Sequence, residues 1–456
     1  MSTTQPPTPA DASRFVAQSR RHSSPLCFAA EDDGDVLPPA DLLWEAQNIP
    51  EQHFLHRQTF SHDRPFAVLF AVGLAVLLST MTVDYLSAET NHPIPGIYRS
   101  IISAQPRLLG DTVLAIAVSL LWMLLLLAAL RPFLYLLTIA VPFALAVLCI
   151  CARESLGLGL LFPAFLCFLW IFVVYRRRRS LSRAVDIIQL ACRIYCDCFA
   201  LLGVAAAVLA VWVAFTAMWI PAFARVFLDS RGLSFPLAVY YSIMYLWTWG
   251  VLSGIQRATT SAVVAHWYFH RHDDITPSTL VVQSLFSHTL NSNLGTISFS
   301  SLLILLTRLP FLVLPRKLAW ILAFFLPGQI SSLSSPLALV YSSIKSTPLL
   351  TAARATGQLY FLDQSHPFAS YKLCKMLLFA TRGTTACAMA AAAMTSNGVL
   401  VGLVAASIGW IVVGAVEGTI GMIVDAVFVC FAIDAQSNSG GYGHCRDAWN
   451  AFGGYS

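Results

Sequence analysis

Long apolar runs separated by short polar stretches make up most of the chain after residue 64. A helix that crosses a membrane needs about 20 consecutive, mainly apolar residues. Lipid offers no hydrogen-bond partner to the backbone, so runs of this length indicate helices. The pattern predicts about ten spans, at residues 65–84, 111–130, 132–151, 157–175, 199–223, 236–267, 294–314, 318–343, 376–396 and 404–432.

The polar stretches divide the chain into three parts. Residues 1–64 are rich in Pro, Ser and acidic residues, which predicts a disordered cytosolic tail. Residues 65–434 are expected to form the transmembrane domain, and the Gly-rich residues 435–456 a flexible cytosolic tail. Residues 346–375 are too polar to span a membrane, but residues 351–362 predict a helix at its inner face.

Basic residues set the expected orientation of the spans. The strongest basic segment is Arg176–Arg179, followed by Arg183 and Arg193. Arginine-rich loops remain on the cytoplasmic side of a membrane, so this segment is expected inside the cell. Counting spans in both directions from it places both termini in the cytosol.

Composition supports a polytopic, all-α integral membrane protein. Apolar residues make up 57% of the chain and charged residues only 11%, with a mean hydropathy of +0.69, and this balance is foreign to water-soluble enzymes. The net charge of +5 is small and spread over loops, so no nucleic-acid partner is expected. The sequence carries no nucleotide-binding loop, serine-hydrolase elbow or zinc-protease helix, which predicts neither a catalytic site nor a cofactor.

Two clusters of potential metal ligands are assigned to other roles. Cys192, Cys196 and Cys198 have irregular spacing and adjoin a span, so packing or acylation is favoured over metal binding. His266 and His270 flank an aromatic residue at the expected membrane edge, where a solvated rim is the simpler interpretation. We therefore expect no metal site.

The sixth span, Phe235–Phe269, has two distinct faces. Gly250 and Gly254 form a GxxxG face that allows a second helix to approach closely, and Arg257 lies on the same face. Aromatic residues recur every four positions on another face, as a stripe formed by Tyr241, Tyr245 and Trp249. Such a stripe serves either as helix packing or as a cage for an organic cation, and the sequence leaves both interpretations open.

Charge inside a predicted span is costly and commonly functional, and three such residues stand out. Arg257 precedes the inner end of its helix by about 15 Å, and Asp425 precedes Asp434 by about 14 Å, at 1.5 Å per residue. Matching depths predict an Arg257–Asp425 ion pair, which either fixes helix register or forms the floor of a site. Glu417 has no obvious partner in the sequence and is expected level with Trp249.

Three stretches of the chain resemble the choline transporter-like family, and most closely its fungal and protist members with a short first outer loop. They are Trp247–Phe269, Leu294–Leu302 (LGTISFSSL) and Val424–Asp434 (VDAVFVCFAID). Their order and spacing also fit that family. The resemblance identifies motif positions at Arg257, Gly295, Asp425, Cys430 and Asp434.

The resemblance implies transport of choline or a related small organic cation, by facilitated or ion-coupled transport. It implies a quaternary ammonium substrate and a location in the plasma membrane or an organelle membrane. Together with the charges and aromatic rings, it predicts substrate contacts at Tyr241, Tyr245, Trp249 and Glu417. A non-transporting scaffold or lipid-interacting protein of the same family is the alternative. A membrane enzyme is disfavoured because no nucleophile–base pair is visible.

The orientation can be tested by placing a unique cysteine in the basic segment. We expect an Arg178→Cys variant to react with a membrane-impermeant thiol reagent only after the cells are permeabilised, because the arginine-rich loop should lie in the cytosol. Labelling of intact cells would reverse the predicted orientation of every span.

Overall fold

The computed structural model describes residues 63–86, 161–176, 178–228, 234–270, 278–313, 335–361, 366–437 and 444–452, with isolated positions between 110 and 147. Regular structure in these ranges is helical. The helices are α1 (Arg64–Leu86), α2 (Leu161–Arg176), α3 (Arg178–Asp197), α4 (Ala200–Leu228), α5 (Ser234–Phe269), α6 (Thr279–Ser292), α7 (Leu294–Val313), α8 (Pro336–Lys345), α9 (Leu349–Phe361), α10 (His366–Ser437) and α11 (Arg446–Phe452).

Five helical stretches are long and apolar enough to cross a membrane: Arg64–Val83, Ala200–Val226, Phe235–Phe269, Pro367–Met394 and Glu417–Gln436. A sixth is added if α6 and α7, which meet at a 70° bend, form one broken span. The described residues therefore confirm an all-helical membrane protein. The predicted spans at 111–130 and 132–151, most of the one at 318–343, and nearly all of the N-terminal tail lie outside the described residues.

Helix α10 comprises 72 residues, and its two ends fold back against each other. Arg382 Nη2 donates a hydrogen bond to Gly414 O over 3.0 Å, 32 residues further along. In a straight helix these residues would lie about 48 Å apart. The first arm (Pro367–Met394) and the second arm (residues 401–437) are therefore antiparallel, as the predicted spans at 376–396 and 404–432 require.

The first arm begins earlier than predicted. The sequence placed Lys375 in a polar segment before the span, whereas the structure includes it in the apolar stretch Pro367–Met394. Lys375 Nζ lies 2.7 Å from Asp425 Oδ1 on the second arm. A paired charge is tolerated at membrane depth, and hydropathy alone does not show that partner.

Helix α5 is the common neighbour of the described bundle, with contacts to α4, α6, α7, α8 and α10. Its small-residue face packs against α7: a Cβ added at Gly250 would lie 3.1 Å from Ser301 Cβ, and one at Gly254 only 2.6 Å from Ile297 Cγ2. Trp247 Nε1 donates to the Ser298 carbonyl at 3.1 Å. The GxxxG face therefore does admit a second helix, and α7 is that helix.

Two helices flank the spans. Helix α3 buries an apolar face that packs against α10, with Ala184, Ile188 and Ile194 inaccessible, while Gln189 and Arg193 are exposed. Helix α9 covers nearly the same residues as the helix predicted at 351–362, which confirms an element there. Leu349 and Ala353 of α9 pack on Ala338 of α8.

Residues 444–452, which fall within the C-terminal tail predicted from residue 435, form a packed segment. Helix α11 buries Ala448 and Phe452 completely, and it packs on α3. Asp434 holds the segment in place, because its Oδ2 accepts hydrogen bonds from the His444 backbone N–H at 2.8 Å and from Trp449 Nε1 at 3.1 Å. Glycine content indicated flexibility, but the aromatic and carboxylate partners are visible only in three dimensions.

Gly295 lies where α7 meets the start of α1. A Cβ added there would be 2.5 Å from the Asp63 carbonyl oxygen and 3.1 Å from the Arg64 backbone nitrogen. Thr296 Oγ1 also donates to Asp63 Oδ2 at 2.8 Å. The motif glycine is thus explained by direct contact between two backbones.

Replacing Gly295 should therefore separate α1 from α7. We expect Gly295→Ala to lower the free energy of unfolding by about 1–3 kcal/mol, the usual effect of overpacking. Thermal unfolding of the purified protein measures this effect. Gly203→Ala on α4 is the matched control, because a Cβ there meets nothing within 4 Å. Equal melting temperatures for the two variants would contradict the packing role.

Candidate functional site

Asp425 lies at the centre of a buried charge cluster between α5 and the two arms of α10. Its Oδ2 is 2.6 Å from Arg257 Nη1. Its Oδ1 accepts a hydrogen bond from the Tyr371 hydroxyl at 2.7 Å and lies the same distance from Lys375 Nζ. The pairing of Arg257 with Asp425 inferred from helix depth is present in the structure, with two partners that the sequence analysis missed.

Those two partners share one helical face. Tyr371 and Lys375 are four residues apart, which brings both side chains over the same turn of the second arm. The spacing was visible in the sequence, but those residues were assigned to a polar segment outside the spans. A buried carboxylate that accepts one hydroxyl bond and touches two cations has the compensation that ionisation at this depth requires.

Glu417 also has a partner, contrary to the sequence analysis. Its Oε2 lies 3.8 Å from Arg382 Nε on the first arm. The same guanidinium donates to Gly414 O at 3.0 Å, and its central carbon lies 5.9 Å from the centre of the Trp410 ring. Arg382 was missed because it was counted within an apolar span and never compared with the opposite arm.

The five charged side chains of this region, here called the charge ladder, are unequally exposed. The acids are inaccessible, with 1% of the Asp425 side chain and none of the Glu417 side chain exposed. The cations retain 20% at Arg257, 33% at Lys375 and 26% at Arg382. The acidic groups are therefore the fixed members of the ladder, and the cations are the members with room to move.

The aromatic stripe of α5 packs mainly against α4. The Tyr245 ring stacks on Trp219 with centroids 4.4 Å apart, and the Trp249 ring lies 4.6 Å from Trp212. Tyr241 is completely buried, and its hydroxyl donates to Thr80 Oγ1 of α1 at 3.2 Å. Of the three stripe residues only Trp249 is exposed, at 41%.

Trp249 and Glu417 occupy one level of the bundle but have different neighbours. Gln256 Nε2 donates to Thr419 Oγ1 at 3.0 Å, one residue before the Arg257–Asp425 contact on α5. Eleven residues after Arg257, the Tyr268 hydroxyl donates to Asp434, nine residues after Asp425, so α5 and the second arm run in the same direction. Trp249 and Glu417 each lie eight residues before the Arg257–Asp425 contact on their helices, which places them at similar levels. The Trp249 ring contacts α4, whereas the Glu417 carboxylate contacts the first arm.

The remaining motif positions contribute to packing. Cys430 is inaccessible within the largest apolar core cluster. Asp434 accepts hydrogen bonds from the Tyr268 hydroxyl at 3.1 Å and from the His444 backbone, so it joins the C-terminal end of α5 to the C-terminal segment. Gly295 allows the backbone at the start of α1 to contact α7.

Cys192 and Cys196 lie in α3, outside the candidate spans, and Cys198 lies in the turn that follows this helix. Burial raises the pKa of Cys192 to about 12 and that of Cys198 to about 12. Thiols of such high pKa stay protonated at neutral pH, whereas metal ligation and nucleophilic attack need the thiolate.

The charge cluster predicts a specific pattern of stability. We expect Asp425→Asn to lower the free energy of unfolding by about 3–5 kcal/mol, because Arg257 and Lys375 would then face each other without an anion. Adding Arg257→Gln should recover part of the loss, and adding Lys375→Met should recover more. Thermal unfolding and the yield of monodisperse protein report the effect.

Asp447→Asn is the matched control for these variants. Asp447 pairs with Arg193 at 3.3 Å, but both side chains are largely exposed, at 42% and 58%. Exposed pairs contribute about 0–1 kcal/mol, so this change should leave the melting temperature nearly unaltered. If Asp425→Asn has the same melting temperature as the Asp447→Asn control, the cluster contributes no stability.

Comparison with known proteins identifies the family of the chain. The profile of the family described as "Plasma-membrane choline transporter" matches residues 161–436, which is more than half of the chain. Choline transporter-like protein ctl1 of Schizosaccharomyces pombe is 29% identical over 457 residues, covering 90% of this chain and 78% of that relative. The matched range includes Arg257, Gly295, Asp425, Cys430 and Asp434. The chain therefore belongs to the choline transporter-like family, whose members are membrane transporters and not enzymes.

Proposed function

We propose that the protein moves choline or a related small organic cation across the membrane, by facilitated or ion-coupled transport. Family membership supports the substrate class, because both the family description and the name of the yeast relative refer to choline. The structural observation that carries the proposal is the Glu417 carboxylate, which is buried in a membrane-spanning hairpin with a cationic neighbour at 3.8 Å.

The chemistry of this position suits a monovalent organic cation. A carboxylate at membrane depth attracts a positive charge strongly, because the surrounding dielectric constant is low. A quaternary ammonium also gains about 2 kcal/mol or more from a desolvated aromatic face. Trp249 lies at the level of Glu417 and is the exposed member of the stripe, so we assign it the second contact with the substrate.

The ion pair Arg257–Asp425 forms the floor of the proposed site. Asp425 lies eight residues beyond Glu417 toward the cytosol, or about 12 Å along the helix. Without Asp425, the charges of Arg257 and Lys375 would repel a cation held at Glu417. This role is additional to the contribution of the cluster to stability. Tyr241 and Tyr245 support the site indirectly, by holding α5 against α1 and α4.

The proposed arrangement in the cell follows the sequence pattern. We propose about ten spans between residues 65 and 434, cytosolic tails at 1–64 and 435–456, and a location in the plasma membrane. The basic segment at Arg176–Arg179 and the antiparallel arms of α10 support this topology. The lipid bilayer and a quaternary ammonium substrate are the proposed partners.

Uptake of radiolabelled choline by proteoliposomes tests the proposal. We expect the wild-type protein to take up choline, and Glu417→Gln to raise the Michaelis constant about tenfold, equivalent to the loss of about 1.4 kcal/mol of binding. Trp249→Leu should raise it by a smaller factor, because one ring face is lost while the carboxylate remains.

The exposed pair again supplies a control, since Asp447→Asn should transport like wild type. Wild-type vesicles that accumulate neither choline nor related organic cations would overturn the proposed function and favour a scaffold or lipid-interacting role. Normal choline kinetics in both site variants would remove Glu417 and Trp249 from the transport path and leave the family assignment intact.

A further inference from the structure

The Arg382 guanidinium occupies the position that a small organic cation would take beside Glu417. Its Nε is 3.8 Å from Glu417 Oε2, and its central carbon is 5.9 Å from the Trp410 ring centre. Phe379 adds a second ring, in edge contact with Trp410 at 5.2 Å. The guanidinium thus lies near both a carboxylate and an aromatic ring, the two kinds of group that attract ammonium ions.

Arg382 is held less tightly than the other cations of the charge ladder. Its separation from the Glu417 carboxylate exceeds hydrogen-bond length, so the two interact by charge attraction without a hydrogen bond at that distance. Arg257 and Lys375, in contrast, approach Asp425 to 2.6 Å and 2.7 Å. The bond from Arg382 to Gly414 O, at 3.0 Å, is an uncharged-acceptor contact that water could replace.

Glu417 is buried whereas Arg382 is partly exposed, and this difference suggests how the two side chains could separate. The Glu417 side chain is inaccessible, so its ionised form needs a compensating positive charge. The Arg382 side chain is 26% exposed and long enough to turn its charged end away while its stem stays packed. An incoming cation would then replace one positive charge by another, and the carboxylate would remain neutralised throughout.

We propose that Arg382 acts as a built-in substitute for the substrate, occupying the cation site formed by Glu417 and Trp410 when no substrate is bound. A quaternary ammonium displaces the guanidinium, takes its place on the carboxylate and the Trp410 face, and is itself displaced when Arg382 returns. This inference rests on the proposed transport of organic cations and adds Trp410 and Arg382 to the site. Arg382 sets the affinity by competition, and its return assists release.

A purely structural role for Arg382 leads to a different expectation. If the guanidinium only neutralised Glu417 and joined the two arms, its removal would destabilise the hairpin and leave cation affinity unchanged or weakened. If it competes with the substrate, its removal tightens cation binding even where stability falls. Affinity and stability therefore separate the two roles.

Calorimetric titration of the purified full-length protein with choline and with tetramethylammonium measures this competition directly. We expect Arg382→Gln to bind both cations at least about tenfold more tightly than wild type, a difference of about 1.4 kcal/mol. Adding Glu417→Gln to that variant should abolish the gain, and adding Trp410→Leu should reduce it. Arg193→Gln, which removes the cation of the exposed Arg193–Asp447 pair, is the matched control and should bind like wild type.

Arg382→Lys keeps the experiment decisive if Arg382→Gln does not fold. Lysine retains the charge but loses the planar group that faces Trp410, so it should compete less well and give an affinity above that of wild type. A folded Arg382 variant that binds the cations no more tightly than wild type would overturn the inference. A gain in affinity that survives Glu417→Gln would overturn it as well.

The uptake assay separates failure of this inference from failure of the proposed function. If wild type takes up choline and the Arg382 variants have the same Michaelis constant and turnover, Arg382 does not compete with the substrate, and the proposed transport function stands. Tighter cation binding in Arg382→Gln without uptake by any variant would retain the cation site and reject transport. If release depends on Arg382, Arg382→Gln should lower both the Michaelis constant and the maximal rate of uptake.

Discussion

Burial of carboxylates inside an apolar helical hairpin is the constraint on which the described structure depends. Asp425 and Glu417 are inaccessible, and a carboxylate that is ionised in such surroundings requires a cation within a few ångströms. Arg257, Lys375 and Arg382 meet that need from α5 and from the opposite arm of α10. The pairs cross from one element to another, so they fix which helices meet and at what register. A slip of one residue would leave a charge uncompensated.

Helix α5 connects this charge ladder to the rest of the protein because each of its faces has a different neighbour. Its glycines admit α7, whose own Gly295 admits the start of α1. Its aromatic stripe packs on α4, and its arginine reaches α10. Its C-terminal end is joined through Tyr268 and Asp434 to the C-terminal segment. Movement of α5 would therefore displace the helices that pack on each of its faces.

The two acids of the ladder differ in a way that separates structural from functional charge. Two cations and a tyrosine hydroxyl contact Asp425 at hydrogen-bond distance. This tight coordination suits a structural residue that fixes the register of α5 against the two arms of α10. Glu417 has a looser cationic neighbour beside an aromatic ring, which suits exchange with a ligand. The same helix face thus carries a rigid floor and, about two turns away, a position where one cation can replace another.

The sequence by itself determined the class of the protein, most of the spans in its described part, the family, and the pairing of Arg257 with Asp425. These properties follow from hydropathy, helical spacing and short motifs, all of which are local along the chain. Only the tertiary structure decided that Lys375 and Tyr371 reach Asp425, that Arg382 reaches Glu417, and that α11 docks beside Asp434. It also decided that the aromatic stripe of α5 packs on α4. Each of these outcomes depends on which helix face meets which neighbour, and residues far apart in sequence carry no local signal of that choice.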